Sequence, residues 1–208
     1  MNKLLIILLL PLSLFGQDSI FKCDAYTSYF SKRLKAPILV VYNLYKGGGD
    51  CSRAKDHFIG NKYTAKNSDY SHAGYDKGHL ANSEDFAGNC KNDESTFRYW
   101  NCFPQTPLLN RGIWKTQETE VRKLSQNDTL LVMIGGLYNH KTIGNGVYVP
   151  DTCWKIVYSY KQKVILQATT FTNTTTPERK NWRYDNLRYY LETRYNIHIN
   201  DFINHLNK

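Results

Sequence analysis

Between residues 38 and 171 the chain alternates short apolar runs with polar breaks. The runs are brief and rich in β-branched and aromatic residues, which favours strands over helices. Ile38-Leu39-Val40-Val41-Tyr42-Asn43-Leu44 predicts a strand, closed by the loop Gly47-Gly48-Gly49-Asp50. Thr129 to Ile134 predicts a buried central strand that stops at Gly135-Gly136. Gly146–Pro150, Cys153–Tyr160 and Lys163–Phe171 predict three more, the last two joined across Lys161-Gln162 as a hairpin. Helical patterning is clearest in two places. One stretch starts just after Asn110 and runs to about Leu124; the other covers Arg179 to Arg194, with Leu187, Tyr190 and Leu191 on one side. Residues 24–36 read as a short helix or an arm, 51–75 as irregular with a short strand at most, and Thr172–Thr176 as a polar loop. These elements predict an α+β domain over residues 37–205, a mostly antiparallel sheet flanked by helices, preceded by an N-terminal segment at 17–36.

The first residues have a separate purpose. Lys3 gives a positive start, Leu4 to Leu10 is apolar, and Ser13-Leu14-Phe15-Gly16 offers small residues near a cleavage point. This is the pattern of a signal peptide over residues 1–16, too short for a comfortable membrane span. It predicts a secreted or periplasmic protein with no membrane segment in its mature form. The formal net charge is +9, which suits a polyanionic partner. Cysteines stand at 23, 51, 90, 102 and 153, so an exported chain is expected to oxidise at least one of Cys51, Cys90, Cys102 and Cys153 and to keep an odd thiol.

The candidate chemistry lies in two stretches. In Gly74-Tyr75-Asp76-Lys77-Gly78-His79-Leu80-Ala81, Gly78 would allow a tight turn, and His79 is a natural general base near neutral pH. Asp76 would orient the ring or brace the turn. The second stretch runs from Asn101-Cys102-Phe103-Pro104-Gln105 through Leu109-Asn110 to Arg122. At about 100° per residue, Asn110, Trp114, Glu118 and Arg122 fall along one helical stripe. A carbonyl oxygen, a carboxylate and a guanidinium on one stripe suit a hydrated magnesium beside a phosphate. The plainer alternative is an amphipathic helix with Trp114 in the core and Glu118–Arg122 as a surface pair.

Taken together the two stretches resemble the DNA/RNA non-specific endonuclease family, the group of Serratia-type extracellular nucleases and mitochondrial endonuclease G. Asp76-Lys77-Gly78-His79 is similar to the family's Asp-Arg-Gly-His signature. Asn101, Pro104-Gln105, Leu109-Asn110, Gly112, Trp114, Glu118 and Arg122 follow in family order, and the resemblance covers roughly residues 38–203. It implies a ββα-metal site that cleaves DNA and/or RNA with little sequence preference and leaves 5′-phosphate ends. His79 would be the base and Asn110 the ligand of Mg2+, with Mn2+ as a substitute. Glu118 would hold the metal's waters, Arg122 and Lys77 would stabilise the phosphate, and Asn101 would position the phosphate or the loop. Arg53 is a candidate for an upstream substrate-binding arginine. Lys77 departs from the family, which usually has Arg there, and so loses a planar two-donor fork. That departure keeps open a catalytically weakened nucleic-acid-binding protein of the same fold; a phosphodiesterase for small nucleotides is a further alternative.

Overall fold

A computed structural model describes residues 19–52 and 57–204; the expected signal peptide at 1–16 and Arg53 lie outside them. Seven strands form one antiparallel sheet. In spatial order they are β1 (Ser19–Lys22), β2 (Thr27–Ser31), β3 (Ala36–Leu44), β6 (Leu130–Ile143), β7 (Val147–Ser159), β8 (Val164–Thr172) and β9 (Arg179–Asn181). The two intervening strands, β4 (Asp76–His79) and β5 (Cys102–Gln105), form a separate antiparallel ribbon. Helices are α1 (Asn67–Tyr70), α2 (Ser83–Phe86), α3 (Cys90–Ser95), α4 (Lys115–Leu124), α5 (Tyr184–Tyr195) and α6 (Ile199–Asn204). The expected α+β architecture and its hairpin across residues 161–162 are present.

Because side chains alternate along a strand, the large sheet has two buried faces. Val40, Tyr42, Val132, Ile134 and Val157 pack with Phe103, Leu109 and Trp114, which belong to the ribbon and the segment after it. Leu39, Leu131, Met133, Trp154 and Ile156 pack with Leu187, Leu191, Ile197 and Ile199 at the C-terminal end. Each fully buried side chain of this size contributes roughly 1.5–3 kcal/mol. Two clusters on opposite faces therefore hold the ribbon and the C-terminal helices to the same sheet.

Four expectations need correction. Residues 24–36 supply β2, not a helix or an arm, because Phe30 turns into the core and its neighbours pair with β3. Gly135-Gly136 does not end the central strand. A Cβ on Gly135 would lie 2.3 Å from the Ile38 carbonyl oxygen and 2.6 Å from the Trp154 ring, so the glycine marks close packing inside the strand. Val147–Ser159 is one strand, with Pro150 beside a register shift that tolerates its missing N–H. Finally, Arg179–Asn181 is an edge strand on β8, and the helix starts only at Tyr184.

Cys51 and Cys90 are disulfide-bonded across a separation of 39 residues, while Cys102 and Cys153 are buried thiols and Cys23 an exposed one. Closing a loop of that length stabilises the fold by about 4 kcal/mol on chain-entropy grounds. Burial pushes both interior thiols up to about 12, so they remain protonated and unreactive.

Candidate active site

Pairing of β4 with β5 places Gly78 opposite Phe103 and His79 opposite Cys102. Gly78 is extended strand and serves packing, not a turn. A Cβ there would lie 1.9 Å from Gln105 Oε1, so only glycine lets the ribbon close over that buried side chain. Lys77 and His79 share one side of β4 by alternation. The half-buried His79 ring lies 4.9 Å from Phe58 and 4.8 Å from Phe97, centroid to centroid.

Asn101 secures the exit of that strand. Its Oδ1 accepts from Ala81 N at 2.8 Å, and its Nδ2 donates to the carbonyls of Ala81 and Thr96, both at 2.9 Å. The side chain is fully buried with these bonds made. Of the two roles expected for Asn101, its bonds in this structure correspond to positioning the loop after His79.

Asn110 stands at the start of a wide helical turn, Leu109–Trp114, that Gly112 breaks with φ −103° and ψ −116°. The smooth stripe from 110 to 122 is thus interrupted, and the regular helix begins at Lys115. What fixes Asn110 is Asp76. Asn110 Nδ2 donates to Asp76 Oδ2 at 3.0 Å, and Arg111 donates twice to the same carboxylate, at 2.8 and 2.7 Å. A carboxylate only accepts, so the amide must turn its NH2 toward Asp76 and keep its carbonyl oxygen for another partner. Burial opposes the charge on Asp76, but the Arg111 and Asn110 bonds outweigh it and hold the carboxyl below its usual range. Asp76 thus braces the asparagine, not the imidazole.

Trp114, just before α4, and Glu118 and Arg122 on it do face inward, but Glu118 and Arg122 are not a surface pair. Arg122 bonds to Asp85 on α2, whose other oxygen accepts from Tyr42 Oη at 2.8 Å. Glu118 is 7% exposed, with Lys155, Asn82 and Arg122 favouring its charged form against burial. Lys155 lies beneath, 1% exposed, its Nζ 4.2 Å from the Trp114 ring centroid. Burial raises the Glu118 and Asp85 carboxyls and lowers the Lys155 ammonium; the opposite charges within the group counter each shift. Two acids and two bases are thereby gathered under the ribbon. Such clusters stabilise little after desolvation, so their value lies in fixing charge at a site.

Lys77 is held more firmly than its sequence context suggests. Its Nζ donates to Asn67 Oδ1 at 2.6 Å and lies 5.4, 5.9 and 5.8 Å from the ring centroids of Phe58, Tyr70 and Tyr99. Sequence reasoning missed Asp85, Asn82, Lys155 and Arg111. Lys155 had a signal: a lysine at an inward position of the otherwise apolar run Cys153-Trp154-Lys155-Ile156-Val157. Asp85 had none, because only the tertiary fold brings it to Arg122.

Among the described residues no three His, Cys, Asp or Glu side chains cluster as metal ligands. The donor set fits a divalent cation of the magnesium type all the same. That ion keeps several waters and needs few protein ligands, and Asn110 is turned so that its carbonyl oxygen is available.

The model of the DNA/RNA non-specific endonuclease family matches residues 11–197. A Nostoc protein named Nuclease is 37% identical over 90 residues, covering 42% of this chain and 33% of its own. Human mitochondrial endonuclease G is 29% identical over 131 residues, 59% of this chain and 44% of its own, and the Bos taurus enzyme is 28% identical over 146, 65% and 49%. The chain thus spans a third to a half of the length of these curated relatives. In the crystal structure of the EndoG/EndoGI complex a chain superposes with a TM-score of 0.69 at 24% identity, over 77% of this chain and 76% of that one, which shows a shared fold. With the family match running through the ribbon, Asn110 and α4, this chain belongs to the DNA/RNA non-specific endonuclease family.

Proposed function

We propose that the protein is a metal-dependent endonuclease that hydrolyses phosphodiester bonds of DNA and/or RNA with little sequence preference. The observation that carries this is the tether between Asn110 and Asp76, the first residue of the strand that ends in His79. One extended four-residue strand spans about 10 Å between its end Cα atoms, so the base and the amide are placed by a single rigid element. The relatives named Nuclease and endonuclease G support the same reading.

His79 takes a proton from water, which attacks phosphorus in line and releases the O3′, leaving a 5′-phosphate end. A magnesium ion, with manganese as a substitute, would be held by Asn110 Oδ1 and otherwise by water, and would neutralise charge on the phosphate and the departing oxygen. Glu118 orders water from its buried position. Arg122, fixed by Asp85, sets positive charge under the site, and Lys77 sets it on the His79 side of β4. Contact through the sugar–phosphate backbone carries no base information, which gives low sequence preference. Export to the periplasm or medium is part of this proposal, and the Cys51–Cys90 disulfide supports an oxidising compartment. Among the described residues no helix is long and apolar enough to cross a membrane.

Digestion of plasmid, single-stranded DNA and RNA, with and without magnesium and followed by end-group mapping, tests the proposal. Chelator-sensitive cleavage with 5′-phosphate ends is expected. Intact substrates in magnesium, or full cleavage in excess chelator, would refute it.

A further inference from the structure

Asp85, on α2, is buried, and each of its carboxylate oxygens has one hydrogen-bond partner among the described residues. Oδ1 accepts from Arg122 Nη1, and Oδ2 accepts from Tyr42 Oη at 2.8 Å. The bond to Oδ1 is the one side-chain hydrogen bond that Arg122 makes among those residues. The rest of its guanidinium donors are therefore uncommitted. Its stem is confined by the glycine loop after β3. A Cβ on Gly47 would stand 3.3 Å from Arg122 Cγ, and one on Gly48 3.9 Å from Cδ.

A second arginine–carboxylate pair in the same site shows the alternative arrangement. Asp76 turns both oxygens to Arg111, which grips them through Nε and Nη2 at 2.8 and 2.7 Å. A guanidinium held in such a fork has two donors spent and its charge matched. Asn110 shares Oδ2 of Asp76 without breaking that fork, so occupying an oxygen is not enough to prevent one. What differs at Asp85 is direction. The Tyr42 hydroxyl draws Oδ2 to itself, and Oδ1 alone meets Arg122. The carboxylate torsion of an aspartate is soft, so an outside partner is what fixes it. Tyr42 is suited to that task. Its ring is buried against Phe86, with centroids 5.4 Å apart. Burial and the Asp85 charge raise its ionisation well above the usual tyrosine range, so the hydroxyl stays a donor.

We propose that Tyr42 is a positioning residue for phosphodiester cleavage: it turns Asp85 so that one oxygen anchors Arg122 and the other donors of the guanidinium remain for the scissile phosphate. The proposal rests on the nuclease reading above. Without the hydroxyl, Asp85 rotates to take Arg122 in a two-bond fork, as Asp76 takes Arg111, and the arginine is withdrawn from the phosphate.

The test uses the full chain, with a single-stranded 12-mer as substrate in magnesium. Tyr42→Phe should lower kcat about tenfold and leave KM within about twofold, because the donors lost are those that meet charge developing in the transition state. Adding Asp85→Asn should regain at least about threefold over Tyr42→Phe, since an amide has one acceptor oxygen and no charge with which to hold a fork. Damage to packing alone would make the second substitution add to the first. Unchanged kcat in Tyr42→Phe, or no recovery in the double variant, would overturn the proposal. A crystal structure of Tyr42→Phe needs no activity to be informative. It should show Asp85 holding the guanidinium through both oxygens, and a single retained bond would overturn the proposal. If the unsubstituted protein leaves nucleic acid uncut in magnesium, the nuclease reading falls, while that structure still decides what Tyr42 does to Asp85. Should Tyr42→Phe not fold alone, the double variant, which buries no unpaired carboxylate, carries the kinetic test: a kcat more than about tenfold below the parent would then overturn the proposal.

Discussion

The two faces of the seven-stranded sheet are built from the same strands and differ in what they tolerate. On the C-terminal side the buried residues are apolar: Leu131, Met133, Trp154 and Ile156 meet Leu187, Leu191 and Ile199. On the ribbon side, neighbouring positions of the same strands carry Lys155 and Tyr42, which join Asp85, Glu118 and Arg122. One face minimises free energy by excluding water. The other gives up part of that gain to hold charges at fixed places. The charged face is also the one that carries the candidate site residues, and buried charges with mutually shifted titration are the kind of feature found at functional sites.

The comparison is broken most severely at the ribbon. His79→Ala should reduce kcat by about 100-fold or more, the range for a lost general base. Circular dichroism and thermal melting should change little, since the ring is half-buried and packs against Phe58 and Phe97 outside the main core clusters. A folded variant with near-parental turnover would remove His79 from the mechanism.

A matched pair sharpens it. Leu187→Ala on the apolar face should destabilise by about 2–5 kcal/mol, through lost burial and a cavity. Lys155→Met on the ribbon face should cost a similar amount, about 3–5 kcal/mol, because Glu118 and Asp85 lose a buried counter-charge. Below both melting temperatures the two should part. Leu187→Ala keeps kcat/KM within about twofold, the silence expected of a site remote from the chemistry, whereas Lys155→Met loses about tenfold or more through the disturbed field. Urea unfolding and steady-state kinetics at one temperature provide both readouts. Equal activity losses would mean that the two faces differ only in stability.

Asp76→Ala probes the brace on Asn110 and should lower kcat/KM by about tenfold, the order of effect of losing the partner that orients a metal ligand. Its pH behaviour follows from the sign of its shift. A depressed folded value means that the brace contributes above roughly pH 3.9, the value in an unfolded chain, and is lost as pH falls through the lower folded value. The brace is therefore intact throughout the neutral range, and the variant's loss should be constant from about pH 5 to 8. A loss confined to one limb of the pH–rate profile would show that Asp76 acts on a titrating group and not on the amide of Asn110.

How much of this was legible before the fold was seen depends on whether a residue acts through its neighbours in sequence. β3 and β8 were read to within a few residues, because alternation and turn chemistry are local. Spacing put Asn110, Glu118 and Arg122 on one stripe, and the resemblance to the endonuclease family gave them and His79 their expected roles. The glycines misled. Gly78 and Gly135 read as a turn and a stop, yet both are extended strand where Gln105 and Trp154 leave no room for a Cβ. Local propensity cannot report a clash with a side chain from a distant part of the chain. The same limit hid the Asp85–Arg122 pair, 37 residues apart, and the tie from Asn110 to Asp76. Lys155 was the exception, since a charged residue inside an apolar strand is visible as a pattern defect.

The mildest change concerns Lys77, where the chain departs from its family's arginine. Its ammonium is anchored: it bonds to Asn67 and lies against three aromatic rings. Losing that anchored charge in Lys77→Ala should lower kcat/KM about fivefold, equivalent to about 1 kcal/mol, the scale of a single cation–π contact. Lys77→Arg should stay within about threefold of the parent and could exceed it. A guanidinium stacks on aromatic faces as well as an ammonium does and adds a second donor toward a phosphate. The two effects oppose each other in one place only: Asn67 is spaced for a single compact donor, so the planar fork must give up or lengthen the 2.6 Å bond. Measuring both variants at two salt concentrations separates the contributions. If Lys77 faces the phosphate, the Ala variant's deficit shrinks as salt rises, because screening weakens what the parent gains. If the lysine only ties β4 to Asn67, the deficit is independent of salt and Arg performs no better than Ala.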